Sequence, residues 1–125
     1  MEQELLYKEE AFSIIGKCMD VHRILGHGFL EVVYKDALEH EFRLANMPFG
    51  REVRFEVPYK TVILRHQYYA DFTVYEKIIL EAKSMDGIHD DHIARLLNYL
   101  KISGYRLGLL VNFGKRSLEY KRIIV

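Results

Sequence analysis

The sequence has little cysteine or proline: Cys18 is its single cysteine, and only 2 prolines occur. One cysteine excludes an intrachain disulfide, which argues against a small secreted domain held together by disulfides. No apolar run approaches the roughly 20 residues that a membrane span needs. The first residues, Met1–Glu4, are acidic where a signal peptide would need a cationic region. These absences predict a cytoplasmic protein with no membrane segment.

An excess of charge of one sign is also missing, because Lys and Arg together number 18 and Asp and Glu together number 18. A formal net charge of zero argues against general electrostatic adhesion to nucleic acid or membranes, although it permits a local basic patch. The 125 residues, 50% of them hydrophobic, are enough for a single core but not for two. We therefore expect one globular domain over residues 1–125.

Apolar residues recur at helical spacing in three segments. The predicted helices run from about Glu4 to Leu25, from about Phe29 to Ala45, and from a cap at Asp90 or Asp91 to about Ser103. The segment Gly26–Gly28 ends the first helix, since glycine adopts the left-handed conformation that terminates helices. Because no strand precedes these glycines, we interpret them as a turn between helices and not as a phosphate-binding loop.

Strand patterns fill the rest of the chain, at 52–59, 61–64, about 69–74, 78–83, 107–112 and 118–125. Ile78–Lys83 and Leu107–Asn112 are apolar on both faces, which is typical of central strands. Together with the intervening helix they form a candidate βαβ unit with parallel strands. The predicted fold class is therefore α/β, with a central mixed sheet flanked by helices.

Asp71, Glu81 and Lys83 form the most informative pattern in the sequence. Glu81 and Lys83 are two apart on a strand, so their side chains leave the same face. If the turn 75–77 pairs Val74 with Ile78, the same register puts Asp71 opposite Glu81, with Cβ atoms roughly 5 Å apart. Two carboxylates this close repel one another unless a proton or cation lies between them. A divalent metal ion is the obvious candidate, and the alternative is a charge ladder on a solvated strand face.

Several separated motifs agree in order and spacing with one known family. The chain resembles the GxxExxY proteins, a branch of the PD-(D/E)XK nuclease superfamily with its restriction-endonuclease-like fold. The resemblance covers nearly the whole chain as a single domain of this type. The matching segments are Gly28–Tyr34, Asp71, Glu81–Lys83, Leu97–Lys101 and Gly108–Gly114.

This resemblance implies a set of roles. The carboxylates of Asp71 and Glu81 would bind Mg²⁺ or Mn²⁺ together with the main-chain carbonyl of Ala82. Lys83 would position or activate the attacking water and stabilise charge on the phosphate. Glu31, on the first core helix of the family, would extend the metal site, although it could equally be an ordinary acid in a first helical turn. Hard oxygen ligands of this kind suit a magnesium-type ion that activates water.

The third predicted helix departs from the family pattern, because Arg95 stands where a glutamine is usual. Arginine cannot ligate a metal, but it can grip a phosphate bidentately. Arg95, Tyr99 and Lys101 are therefore the candidate substrate-binding residues. Tyr99 could instead be a packing residue whose hydroxyl reaches the site edge, and Lys101 could simply be solvated.

The remaining reactive side chains have ordinary interpretations. The six histidines show no tight zinc spacing, and His89 and His92 give only weak evidence for a metal site. Cys18 falls on the apolar stripe of the first helix, so we interpret it as a small buried hydrophobe.

Two functions from different classes follow. The first is a metal-dependent nuclease acting on DNA or RNA. The second is a catalytically weak or inactive binding module that keeps the fold and acts with a partner protein. A homodimer is also open, since the sequence shows no extension that would select a target.

Overall fold

The computed structural model describes residues 6–125, so the predicted helix start at Glu4 lies outside the described residues. Within that range the chain forms three helices and five strands, in the order ααβββαββ. The helices are α1 (Lys8–Leu25), α2 (Glu31–Leu44) and α3 (Asp90–Ser103). The strands are β1 (Phe49–Tyr59), β2 (Val62–Val74), β3 (Ile78–Lys83), β4 (Leu107–Asn112) and β5 (Glu119–Ile124).

The strands form one mixed sheet in sequence order, β1-β2-β3-β4-β5. The β3–β4 pair is parallel and the other three pairs are antiparallel. The parallel βαβ unit and the central positions of β3 and β4 are thus confirmed. Both strands are buried on both faces, as their continuous apolar sequences predict.

Helices cover both faces of the sheet, and each face has its own core. On one face α1 and α2 pack over a larger cluster that includes Cys18, which is fully buried as predicted. On the other face α3 packs over a smaller cluster. Gly108 on β4 permits this close approach, because a Cβ there would lie 2.8 Å from the Leu96 side chain. The predicted α/β fold with flanking helices is confirmed.

Two boundaries differ from the sequence prediction for local reasons. Helix α2 begins at Glu31 and not at Phe29, because Gly28 has φ +109° and Leu30 is extended. The predicted strands 61–64 and 69–74 are one continuous strand, β2. The residues that join them, 65–68, are polar or aromatic and are exposed or half-buried, so the sequence there has no alternation of apolar and polar residues to reveal a strand.

The cap of α3 was also predicted wrongly. The N-cap residue is His89, and Asp90 and Asp91 lie in the first turn. There their negative charges interact favourably with the positive end of the helix dipole. His92 Nδ1 accepts a hydrogen bond from the backbone N–H of His89 at 3.3 Å. The two histidines therefore have a local structural role at this helix start.

Among the described residues, no helix is long and apolar enough to cross a membrane.

Candidate active site

The regular backbone pairing of β2 with β3 ends before Asp71 and Glu81. Beyond that point the carboxylates of these two residues bond to backbone N–H groups of the opposite strand. Val74 pairs with Ile78 as predicted, and the last regular pair is Phe72 with Leu80. Beyond it, Asp71 N–H donates to Glu81 Oε2 at 2.7 Å, and Ala82 N–H donates to Asp71 Oδ2 at 2.9 Å. The register therefore brings the Asp71 and Glu81 carboxylates together between two strands, where each caps a backbone group of the other strand.

At the same point in β2, side chains no longer alternate regularly between the two faces of the sheet. Ala70 belongs to the core under α3, whereas Phe72 belongs to the core under α1 and α2. Residues two apart on a regular strand share a face, so the strand is irregular at Asp71. Glu52, opposite Asp71 in the β1–β2 register, has a left-handed φ of 52°. Adjacent irregularities in β1 and β2 thus lie beside the carboxylate pair.

The two carboxylates are buried, with Asp71 7% and Glu81 3% exposed. The pKa of Glu81 is raised to about 8, mainly by burial and secondly by the negative charge of Asp71. The hydrogen bond from Asp71 N–H and the charges of Lys83 and Arg95 lower this pKa, but by less than burial and Asp71 raise it. At neutral pH Glu81 therefore holds a proton when no metal ion is bound.

Lys35 on α2 supplies a cation that the sequence reasoning missed. Its Nζ lies 3.2 Å from Asp71 Oδ1 and 2.8 Å from Glu52 Oε1. Burial alone would lower the pKa of Lys35, but the hydrogen bond to Glu52 and the charge of Asp71 outweigh burial and raise it. Lys35 follows Glu31 by four residues, and this helical spacing was the one available signal that it faces the same site.

Glu31 and Lys83 approach the pair from neighbouring elements. Glu31 stands in the first turn of α2, and Lys83 is the last residue of β3. Lys83 Nζ lies 4.0 Å from Glu31 Oε1, and the Lys83 side chain is only 13% exposed. The structure therefore brings all four candidate catalytic residues, which are Glu31, Asp71, Glu81 and Lys83, to one end of β3.

The Tyr34 side chain holds the turn that precedes Glu31 and helix α2. Its hydroxyl donates to Gly26 O at 2.6 Å and accepts from Phe29 N–H at 3.2 Å. The fully buried ring stacks on Phe113 at 4.6 Å between centroids. Tyr34 thereby fixes the loop that leads into the first turn of α2.

Replacing Tyr34 by Phe should destabilise this loop. The ring packing stays, but two partly buried backbone groups lose their partner, so we expect the free energy of unfolding to fall by about 1–2 kcal/mol. Urea denaturation measures this loss. Tyr120→Phe, at a half-exposed position on β5, is the matched control and should change stability by less than about 0.5 kcal/mol. Equal effects of the two substitutions would contradict the role of the Tyr34 hydroxyl.

Arg95 and Tyr99 form a linked pair on α3. Tyr99 is fully buried and its hydroxyl donates to the backbone carbonyl of Tyr69 at 3.0 Å. Arg95 Nε donates to the same hydroxyl at 2.9 Å. The hydrogen bond to Tyr99 is the largest cause that raises the pKa of Arg95, and the charges of Glu81 and Asp71 raise it further, so the positive charge of Arg95 acts on both carboxylates. Tyr99 is thus a support for Arg95, and direct contact of Tyr99 with substrate stays a prediction.

Lys101 lies apart from this group. It is exposed in the last turn of α3, about 9 Å along the helix from Arg95. Its predicted contact with substrate stays a prediction.

The donor atoms at the site suit a hard cation. Asp71 and Glu81 offer carboxylate oxygens, and their mutual repulsion is what a bound cation would relieve. The carbonyl of Ala82 points to the same side of β3 as its N–H, which faces Asp71. Within residues 6–125, no group of three or more His, Cys, Asp or Glu side chains forms a metal cluster. The two carboxylates and the carbonyl are oxygen ligands of the kind a hard cation takes, and a cation held by them would need water to complete its shell.

The raised pKa of Glu81 makes the stability of the metal-free protein depend on pH. The folded protein keeps a proton on Glu81 up to about pH 8, whereas the unfolded chain releases it near the ordinary value of 4.5. The folded state binds more protons in this window, so the free energy of unfolding should fall by about 1 kcal/mol per pH unit between pH 5 and 8. Urea denaturation in a chelating buffer measures the slope. Glu81→Gln should flatten it, and a wild-type slope equal to that of the variant would contradict the shift.

This chain is similar to a protein family and to a solved structure. Residues 8–123 match the family model described as the PD-(D/E)XK nuclease superfamily. Among solved structures, the crystal structure of a protein called SSO0001 is similar, with a TM-score of 0.59 and 20% sequence identity. The match covers 96% of this chain and 60% of that one, and at this identity it concerns the fold alone. No curated protein matches the sequence significantly.

Proposed function

The chain belongs to the PD-(D/E)XK nuclease superfamily, and we propose that it is a metal-dependent nuclease that hydrolyses phosphodiester bonds in DNA or RNA. The observation that carries the proposal is the buried Asp71–Glu81 pair at the end of the β2–β3 ladder, with Lys83 beside it. A structural charge ladder would lie on a solvated face. This pair instead is buried and like-charged, and it needs a cation or a proton to balance it.

In this proposal Asp71, Glu81 and the Ala82 carbonyl hold Mg²⁺ or Mn²⁺. When bound, such an ion supplies charge stabilisation for the phosphate and a water of lowered pKa. Lys35 keeps one Asp71 oxygen oriented through their ion pair. The hydrogen bond from Ala82 N–H fixes the other Asp71 oxygen. The protein therefore orients the first carboxylate before any ion arrives.

In the same proposal Lys83 and Glu31 act where the water attacks the phosphate. Lys83 Nζ orients the water or stabilises the negative charge that builds on the phosphate. Glu31, at 4.0 Å from Lys83 Nζ, holds the lysine side chain over the site. Arg95 binds a phosphate oxygen with the guanidinium nitrogens that its contact to Tyr99 leaves available.

A cleavage assay tests the proposal. Purified protein is incubated with single-stranded and duplex DNA and RNA, with Mg²⁺, with Mn²⁺ or with chelator. We expect hydrolysis of at least one substrate that depends on the metal and disappears in chelator. Cleavage that persists unchanged in Lys83→Ala would indicate a contaminating nuclease and overturn the assignment.

The second candidate is a nuclease-fold binding module without catalysis, which acts with a partner protein. It is favoured by the cations already at the site, because Lys35 pairs with Asp71 and Arg95 lies in the field of both carboxylates. Calorimetric titration with Mn²⁺ separates the two candidates. Binding at millimolar or lower concentration that is lost in Asp71→Ala would contradict the inert module, and its absence in the wild type would favour it.

A further inference from the structure

The chain directly after Lys83 is held in place although the strand has ended. The parallel pairing of β3 with β4 ends at the pair Lys83–Asn112, and Phe113 N–H then donates to Lys83 O at 2.8 Å. Residues 84–89, which lead to α3, form neither helix nor strand. An irregular segment at the end of a strand opens more easily than the strand itself. The orientation of Lys83 therefore depends on what fixes the residues that follow it.

Asn112 fixes Met85, two residues after Lys83. Its Oδ1 accepts from the N–H groups of Met85 and Gly114, each at 3.0 Å. Its Nδ2 donates to Met85 O at 3.0 Å and to Glu119 Oε1 at 3.1 Å. A carboxamide has two donors and two acceptor positions, so this fully buried side chain uses its whole hydrogen-bonding capacity. Half of these bonds go to Met85.

Gly114 lets the chain after β4 lie directly on Met85. A Cβ at position 114 would overlap the backbone nitrogen and oxygen of Met85. Because these are backbone atoms, they cannot move aside as the end of a flexible side chain could. A larger residue at position 114 would therefore push the two segments apart and break the contacts of Asn112.

Ser84 ties the same segment to the turn before α2. Its hydroxyl donates to Phe29 O at 2.7 Å, across 55 positions of the chain. Phe29 precedes Glu31 by two residues, and the Phe29 N–H is already held by the Tyr34 hydroxyl. The residue next to Lys83 is thus bonded to the turn that leads to Glu31. This bond fixes the two elements across which Lys83 Nζ lies 4.0 Å from Glu31 Oε1.

We propose that Asn112 and Ser84 are positioning residues for Lys83, which hold its ammonium group beside Glu31 and the carboxylate pair. The inference rests on the proposed nuclease function and adds two residues to its machinery. Lysine has a flexible four-carbon stem, so only a fixed backbone and close packing give its ammonium group one position. The Lys83 side chain is 13% exposed. A displacement of about 1 Å at a reacting group can lower a rate about 100-fold.

Single-turnover cleavage at saturating metal and substrate tests the role of Ser84, which is half-buried. We expect Ser84→Ala to lower the rate about ten-fold and to leave Mn²⁺ affinity within about two-fold, because the carboxylates keep their contacts. Added to Lys83→Met, it should cause no further loss, since the group that it positions is already absent. An equal loss in both backgrounds, or cleavage at the wild-type rate, would overturn the proposal.

Ser103→Ala is the matched control for the loss of a hydroxyl that bonds to a backbone carbonyl. Ser103 Oγ donates to Leu100 O at 3.3 Å in the last turn of α3. This end of the helix is about 16 Å from the end that follows β3, so the control should cleave at the wild-type rate.

Asn112→Asp tests the second positioning residue. It keeps the two acceptor contacts but removes both donated bonds and places a carboxylate next to Glu119. We expect a fall in the rate of about 100-fold. Combining it with Glu119→Gln returns a donor at position 119 and should recover the rate about ten-fold. Recovery of stability without recovery of rate would show a structural role alone and would overturn the assignment of Asn112.

Lysine side-chain dynamics test the positioning without cleavage. NMR relaxation of ¹³C at Cε is measured in labelled, metal-free protein, with the exposed Lys121 as the reference. We expect Lys83 to be more ordered than Lys121 in the wild type and to lose this order in Ser84→Ala. Lys35, which two carboxylates hold, should keep its order in the variant. Equal order of Lys83 in the wild type and Ser84→Ala would contradict the proposal.

The two proposals can fail separately. If the wild type cleaves no substrate with any metal but Lys83 loses its order in Ser84→Ala, the nuclease proposal fails and the positioning of Lys83 stands. If the wild type cleaves with metal and Lys83 is equally ordered in the variant, the positioning proposal fails and the nuclease proposal stands.

Discussion

Asp71→Asn should remove metal binding and lower the cleavage rate by at least about 10³-fold. The substitution keeps the size of the side chain and an oxygen that can accept from Ala82 N–H, so the strand geometry survives. It removes the negative charge that opposes Glu81 and that a divalent ion would neutralise. We therefore expect Mn²⁺ affinity to fall by more than about 100-fold, measured by calorimetric titration beside a single-turnover cleavage assay.

A matched control is available at Asp86, whose side chain is 93% exposed in the loop after β3. Asp86→Asn removes the same charge without touching the carboxylate pair, so it should leave both Mn²⁺ affinity and cleavage near wild type. Retained Mn²⁺ binding in Asp71→Asn would show that the ion is held elsewhere. The pKa of Glu81 should fall towards its ordinary range in Asp71→Asn, since the second cause of its rise is the charge of Asp71.

Lys83→Met should lower the cleavage rate by about 10³-fold while leaving Mn²⁺ affinity within a few-fold of wild type. Methionine retains the apolar stem of the mostly buried side chain but has no ammonium group to orient water or stabilise the phosphate. The combination of lost turnover and retained metal binding distinguishes Lys83 from the two carboxylates. Single-turnover kinetics at saturating metal measures the rate, and calorimetry measures the affinity.

Lys121→Met on β5, two strands from Glu81 in the sheet, is the control for loss of a lysine outside the proposed site, and it should cleave at the wild-type rate. If Lys83→Met lost metal binding in parallel with turnover, the lysine would be acting through the metal site and not on the water or the phosphate. If it cleaved normally, the assignment of Lys83 to the chemistry would be wrong.

The hairpin part of the site could be predicted from the sequence because its geometry is local. A short turn between β2 and β3 sets the register, and the register fixes which residues face each other. The approach of Asp71 and Glu81 therefore followed from counting residues. Counting residues does not show how the pairing of β2 with β3 ends. There the two carboxylates bond to backbone N–H groups in place of regular pairing.

The residues contributed by helices were harder to place. Lys35 pairs with Asp71 across 36 positions of the chain, and the charge of Arg95 on α3 acts on the carboxylates. Such contacts depend on how each helix packs on the sheet, which is a property of the whole core. Sequence reasoning identified Arg95 through a family pattern. For Lys35 the local sequence offered only its helical spacing from Glu31, and for its second partner Glu52 it offered nothing.

By itself the sequence determined the α/β class, the two central strands and the positions of the carboxylates and lysine on β3 and its neighbour, because apolar periodicity and hairpin register act over short distances. Only the tertiary structure decided which cations face those carboxylates and why Glu81 retains a proton. These features arise where separate elements meet. There, burial and charges from residues distant in the sequence determine the pKa values of the carboxylates. No local sequence pattern shows which elements come together.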